Sequence, residues 1–335
     1  GMFSLMNGLE AVWYERPVRY SPLLVRLFRQ AGYELGFFAG HDDWRKFYMD
    51  GYLSEQHFDT FAISPPDGLA SDRRATRLAS SFLNQDSTAE QPRPPRLALL
   101  YLYATHATYR SYAEDRRFEP AADDRFMIPY PVASRDQVWN RYKNSARTVD
   151  RFLNAVMRED RIVLVTGDHG EAFLEDGTIG HGIRISAVQN MTPAVLFVPD
   201  RSPRVIDAPT SHADLLPTLL SAVGITPTDD RVFDGIDLSR ASDQMLSQRL
   251  LLTRNYLHED IGLIGPWTRD VERPFAYRAN ISLRTPAVSP LNGIDRRGFE
   301  HPIAGDDQVD SALEQWIESR LNAYLPRYQP CLLYT

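Results

Sequence analysis

The sequence predicts an α/β protein: a doubly wound, largely parallel sheet in three α/β/α layers, followed by a smaller C-terminal α+β subdomain. Three observations predict it. Apolar runs at 33–39, 97–103, 162–165 and 194–198 read as buried strands. Segments of helical periodicity lie between them, the mark of parallel strands joined by crossover helices. Beyond about residue 225 the pattern changes to short strand-like runs around 250–252, 275–277 and 281–283, closed by an amphipathic segment at about 308–325. The expected organisation is a main domain over 1–240 with a C-terminal subdomain over 241–335 packed on it.

Each element has a local reason. Ser21-Pro22 is a helix start, with serine as N-cap and proline at the first helical position. Leu23, Leu24, Leu27, Phe28 and Ala31 then share one face, and Gly32 is placed to end the helix. The strand at 33–39 leads into Gly40-His41-Asp42-Asp43. Pro65-Pro66-Asp67-Gly68 is a turn, 71–83 reads as a surface helix, and Gln91-Pro92-Arg93-Pro94-Pro95 stiffens the approach to the strand at 97–103. That strand ends at a polar loop, Ala104-Thr105-His106-Ala107-Thr108-Tyr109. After an irregular segment at 117–132, a helix at about 135–158 places Val138, Tyr142, Ala146, Val149, Leu153 and Val156 at spacings of three and four. Ser211-His212-Ala213-Asp214 has capping-box spacing and opens a helix through Leu215, Leu216, Leu219 and Leu220, closed by Gly224. Val309, Leu313, Trp316, Ile317 and Leu321 line one face of the last helix.

Composition narrows the classes of function. With 37 basic and 44 acidic side chains the formal net charge is −7, which argues against nucleic acid as a partner. The single cysteine, Cys331, allows neither an intrachain disulfide nor a cysteine-rich zinc module. No apolar run approaches the ~20 residues that span a bilayer. The opening Gly1-Met2-Phe3-Ser4-Leu5 lacks the charged start of a signal peptide and reads as a tag remnant or a piece cut from something longer.

The chemistry concentrates after the strand at 162–165. Gly167-Asp168-His169-Gly170-Glu171 follows it directly, and Gly180-His181-Gly182 comes shortly after. In open α/β sheets, ligands sit outside the carboxyl ends of strands. A carboxylate and an imidazole delivered there suit zinc or manganese better than calcium, with calcium or magnesium still open. His181 reads as a ligand or as a donor to an oxyanion, and Glu171 as a partner behind a ligand or as a turn residue. An Asp-His pair alone is more often a turn. His106 taken alone is an ordinary loop histidine. His41 and His57 read as surface or core residues, His212 as capping or packing, and Glu159-Asp160 and Asp229-Asp230 as solvated ends.

Four motifs in order carry a resemblance: Gly167-Asp168-His169-Gly170-Glu171, Gly180-His181-Gly182, Thr192-Pro193-Ala194 before a strand, and Ala213-Asp214-Leu215-Leu216-Pro217-Thr218-Leu219-Leu220. Together they resemble the sulfatase family of the alkaline phosphatase superfamily, over roughly residues 3–240. The stretch Gly1 to Leu9, with Trp13 behind it, is most similar to the extracytoplasmic branch of YejM-type proteins, phosphoethanolamine transferases and lipoteichoic acid synthases.

The resemblance implies an alkaline-phosphatase-like fold. It makes Asp168 and His169 ligands of a divalent metal, and His106 and His181 contacts of the sulfate or phosphate group. It implies hydrolysis or transfer of a sulfate or phosphate ester on a small molecule or lipid headgroup. It further implies a membrane anchor outside this chain and a periplasmic or extracytoplasmic location at a bacterial inner membrane. In the family, another acidic ligand and the nucleophile precede the stretch matching Gly1 to Leu9, and Ser4 lies where the family has a helix body. The Cys-x-Pro-x-Arg signature is absent. The alternative is a sulfatase-like domain without catalysis that binds or regulates.

Overall fold

A computed structural model describes residues 1–14, 21–40, 47–85, 93–228, 232–256, 260–267, 273–278, 281–282, 287–288, 291–303 and 306–332. His41 and Asp229-Asp230 lie outside these. In chain order the first elements are α1 (Met2–Asn7), α2 (Leu23–Gln30), β1 (Glu34–Ala39), β2 (Thr60–Ile63), α3 (Gly68–Leu83), β3 (Arg96–Tyr101) and α4 (Arg135–Asn154). Then come β4 (Val163–Thr166), β5 (Ala172–Phe173), β6 (Ile179–Gly180), α5 (Ala187–Asn190), β7 (Ala194–Phe197) and α6 (Leu215–Ala222). The remainder is α7 (Asp243–Ser247), β8 (Leu251–Arg254), β9 (Ile261–Ile264), β10 (Ala276–Arg278), β11 (Ile281–Ser282), β12 (Ala287–Val288), β13 (Asn292–Ile294), β14 (Glu300–Pro302) and α8 (Asp307–Leu332). They form two compact units. One comprises Glu15–Val163 with Phe197–Pro199, and the other Gly1–Tyr14, Leu164–Leu196 and Asp200–Thr335.

In the first unit β1 pairs in parallel with β2 on one side and β3 on the other, as the alternation of elements predicts. Helix α2 starts at Leu23 with Pro22 in extended geometry at the cap, one residue later than Ser21-Pro22 suggests. It ends as expected: Gly32 takes φ +81, and the N–H groups of Gly32 and Tyr33 donate to the carbonyls of Arg29 and Phe28. Helix α3 begins at Gly68 and is amphipathic, with its outer face exposed as the sequence suggests and its inner face buried. Its Ala75, Ala79 and Phe82 pack with Phe38 of β1, against Ala62, Ala98 and Leu100. Asp72 from the same helix is buried, and its carboxylate accepts the N–H groups of Tyr103 (3.0 Å) and Ala104 (2.7 Å) just beyond β3. A Cβ at Gly40 would meet Asp72 Oδ1 at 1.7 Å, so the approach of this acid to the strand ends requires glycine there. Helix α4 stops at Asn154 in a tightened last turn, short of Val156.

In the second unit β4 pairs with β7, β5 with β6, and five short strands form an antiparallel sheet in the order β14-β13-β10-β9-β8. Val309, Leu313 and Ile317 of α8 pack on Leu250, Leu252, Leu263, Tyr277 and Leu291. Three residues of the face read from the sequence are thus buried, and Trp316 from the same face stacks with Trp13 at 6.5 Å. The capping box at Ser211 and Asp214 is formed. Asp214 is fully buried and bound by both terminal nitrogens of Arg249, at 2.7 and 3.1 Å. Nearby, Asp234 accepts the Glu10 N–H (2.9 Å) and Trp13 Nε1–H (2.7 Å). Glu10 accepts from Ser211 Oγ at 3.2 Å, and burial, then Asp234 and Asp214, push its carboxyl up to about 8.

Candidate active site

The site grows from the end of β4. A four-residue apolar strand stops at Gly167, and the next residues, Asp168 and His169, leave the ladder side by side. Asp168 Oδ1 lies 3.6 Å from His169 Nε2. His169 Nδ1–H donates to the Gly170 carbonyl at 2.9 Å, which leaves Nε2 as the basic nitrogen on the Asp168 side. Desolvation, helped by His181, depresses the His169 pKa against the opposing pull of Asp168, so the ring is neutral near pH 7.

Register brings in the other two residues. In the β5–β6 hairpin Ala172 pairs with Gly180 and Phe173 with Ile179. The next positions out are Glu171 and His181, and Glu171 Oε2 lies 2.6 Å from His181 Nδ1. His181 stacks on His169 with ring centroids 3.7 Å apart. Ligand atoms of His169, Glu171 and His181 lie within 4.8 Å of one another.

Buried polar braces hold this loop. Asp176, at the hairpin turn, accepts from Thr178, Ser186 and Gln189. Burial alone would raise its pKa, but those donors hold it below the usual range. Gln189 Oε1 in turn accepts the N–H groups of Ile183 and Arg184. Gly170 donates to the Gln189 carbonyl at 2.9 Å, and a Cβ there would sit 2.0 Å from the Val188 carbonyl oxygen. His212 Nε2 lies 2.6 Å from the Gly167 carbonyl, and burial lowers its pKa to about 4, so a neutral ring donates this bond. That is a packing role, one of the two readings the sequence allows. His57 is buried, with Ser54 Oγ 3.3 Å from its Nδ1.

The structure thus brings Asp168, His169 and His181 together and adds Glu171 to them. His106 belongs to the other unit. It is exposed in the loop after β3, its Nδ1–H donating to the Ala107 carbonyl at 2.9 Å and its ring 5.6 Å from that of Tyr103. Sequence spacing missed the hairpin that pairs Glu171 with His181. The signal was there in the turn-forming Glu175-Asp176-Gly177 between two short apolar pairs. A mixed set of carboxylate and imidazole donors converging at a strand end fits a divalent ion of the zinc or manganese type.

Comparison with known proteins agrees with this architecture. A family model described as Sulfatase matches residues 2–225, and the chain belongs to the sulfatase family. Among curated proteins, the "Uncharacterized sulfatase YidJ" of Escherichia coli (strain K12) is 32% identical over 80 residues, 23% of this chain and 16% of that protein. A solved protein of the alkaline phosphatase superfamily from Vibrio parahaemolyticus superposes with a TM-score of 0.58 at 16% identity, covering 96% of this chain and 76% of that one. A 2-O GAG sulfatase gives 0.56 at 16% identity, covering 99% and 82%. A phosphonate monoester hydrolase from Silicibacter pomeroyi gives 0.51 at 16% identity, covering 96% and 85%. The chain has the α/β fold of the alkaline phosphatase superfamily, with a parallel sheet, its helices and a smaller antiparallel sheet.

Proposed function

We propose that this chain forms the core of a metal-dependent hydrolase or transferase acting on sulfate or phosphate esters. The observation that carries the reading is the convergence of Asp168, His169, His181 and Glu171 beyond β4. Asp168 and His169 would hold a divalent ion. When bound, such an ion offsets charge on the transferring group and acidifies a hydroxyl.

The chain's own residues have separate tasks. His169 keeps its proton on Nδ1 through the Gly170 carbonyl and so offers Nε2. Glu171 holds the proton of His181 on Nδ1, which makes His181 Nε2 the atom that exchanges a proton with an ester oxygen. The Glu171 carboxylate stabilises the imidazolium that forms. The family resemblance assigns His106, on the loop after β3, to the sulfuryl or phosphoryl group. In hydrolysis water supplies one hydroxyl to sulfur or phosphorus, the S–O or P–O bond to the alcohol breaks, and the alcohol leaves with a proton.

Sulfate and phosphate remain paired in this reading because the fold neighbours include both a sulfatase and a phosphonate monoester hydrolase. The similarity of Gly1 to Leu9 and Trp13 to the lipid-modifying branch supports a narrower version. It has a lipid headgroup as substrate, an anchor elsewhere in a longer protein and an extracytoplasmic location. No helix among the described residues is long and apolar enough to cross a membrane.

The test is turnover of nitrophenyl sulfate, nitrophenyl phosphate and a nitrophenyl phosphate diester by the full-length protein loaded with zinc, manganese, calcium or magnesium. Release of nitrophenol with one ester class, lost in His181→Ala, is expected. Metal-loaded protein inert to all three, or activity indifferent to His181, contradicts the reading.

A further inference from the structure

Several arginines of this chain pair with a carboxylate, and two near the site do not: half-buried Arg184 and exposed Arg297. Arg249 is paired with Asp214, Arg278 with Asp260 and Glu300, and Arg96 with Glu34. Among the described residues, neither Arg184 nor Arg297 is paired with a carboxylate. Arg184 Nη1–H donates to the Gly298 carbonyl at 3.2 Å, and Arg297 Nε–H to the Glu175 carbonyl at 3.0 Å. Each leaves most of its N–H donors to other uses.

Both cations stand against one ring. The guanidinium carbon of Arg184 is 4.8 Å from the Phe299 ring centroid and that of Arg297 is 5.3 Å from it. The neighbouring carboxylates are engaged elsewhere. Asp295 accepts the N–H groups of Arg297 and Phe299, with His301 Nε2 3.4 Å away. Glu175 accepts the Phe173 N–H. The ring's negative face attracts each guanidinium and helps to hold it in place, while leaving N–H donors available to an anion.

The arrangement is rigid. Arg184 follows His181 by three residues, so their Cα atoms lie within about 10 Å of each other. The turn between β13 and β14, which carries Arg297 and Phe299, is fastened to the segment after His181. The Ala187 N–H donates to the Arg296 carbonyl at 3.1 Å, and a Cβ at Gly298 would touch Ser186 Cβ at 3.0 Å and the Ile185 carbonyl oxygen at 3.1 Å. Bidentate guanidinium geometry suits sulfate, phosphate and carboxylate.

We infer that Arg184 and Arg297, set against Phe299, form an anion subsite for a second negatively charged group on the substrate. The favoured substrate class is then a polyanionic ester, on a sugar or a lipid headgroup, with its reacting group at His169 and His181. This rests on the proposed function for the reacting end, but the subsite binds whether or not the ester turns over.

Calorimetric titration of the full chain with a disulfated disaccharide, its monosulfated counterpart, and phosphatidylcholine vesicles with and without phosphatidylglycerol tests it. The Arg184→Gln/Arg297→Gln pair of substitutions is expected to weaken the disulfated sugar or the anionic vesicle by about 10- to 100-fold. The monosulfated sugar is expected to change less than about twofold. Whichever probe responds identifies the carrier. Arg297→Lys, which keeps the charge, restores part of the loss. If turnover is observed, KM for the disulfated ester rises with kcat unchanged. Equal loss for both sugars with no response to anionic vesicles, or no loss for any probe, overturns the subsite. Protein that turns over nothing yet shows the difference sinks the catalytic reading and leaves the subsite standing.

Discussion

Two loops leave the ends of strands β3 and β4, and they are built differently. The loop after β3 is anchored at its root, where Asp72 takes the N–H groups of Tyr103 and Ala104. Further on, the His106 ring is exposed and donates to the Ala107 carbonyl, while its backbone N–H donates to the Tyr103 carbonyl and its own carbonyl accepts from Tyr109. The loop after β4 is braced along its length by the β5–β6 ladder, by Asp176 and Gln189, and by His212 on Gly167. The braced loop carries Asp168, His169, Glu171 and His181. Groups that must share one small ion or one reacting atom have to be held within a fraction of an ångström. A group that contacts an outer oxygen of the substrate tolerates a looser mount.

The contrast can be broken by substitution. The largest effect is expected at Gly170, where a methyl group would sit 2.0 Å from the Val188 carbonyl oxygen. Gly170→Ala should cost about 3 kcal/mol or more in urea unfolding, or prevent folding. The root of the braced loop gives the next effect. Glu10 accepts from Ser211, the neighbour of His212, and its carboxyl is raised from 4.5 to about 8. The folded state therefore holds this proton more tightly than the unfolded chain does. Its contribution is complete below the unfolded value of 4.5 and is lost as pH rises through about 8. Glu10→Gln should flatten that dependence, removing roughly 3 kcal/mol of the stability difference between about pH 5 and about pH 8. A wild-type unfolding midpoint that rises across this window contradicts the assignment.

Smaller effects sharpen the comparison. Glu171→Gln keeps the size of the side chain but weakens its hold on His181 Nδ1. It should lower metal affinity or turnover by about 10- to 100-fold while leaving the melting temperature nearly unchanged. His106→Ala should change stability by less than about 0.5 kcal/mol, because the ring is exposed. A cost as large as that of Gly170→Ala would mean that the His106 ring itself carries packing.

Much of this was legible in the sequence because it is periodic. Alternating strands and helices, the glycine that ends α2, the capping box at Ser211 and the face of α8 all follow from local pattern. Asp168 and His169 are legible because a strand end and two glycines frame them. The rest depends on contacts between distant residues. The burial of Asp72, Asp214 and Asp234, and their pairing with backbone N–H groups or an arginine, come from distant parts of the chain and carry no local pattern. The β5–β6 strands have two residues each, too few for any period to show, so Glu171 opposite His181 emerges only from register. Arg184 and Arg297 each reach Phe299 only once the β13–β14 turn has docked.

The pairing of Asp168 with His169 is tested most directly by titrating manganese or zinc into the full-length protein and into His169→Ala under the same calorimetric conditions. Saturable binding that disappears in the variant, with the unfolding midpoint preserved, is the predicted result. Equal affinity in the two proteins would place the ion elsewhere and contradict the account.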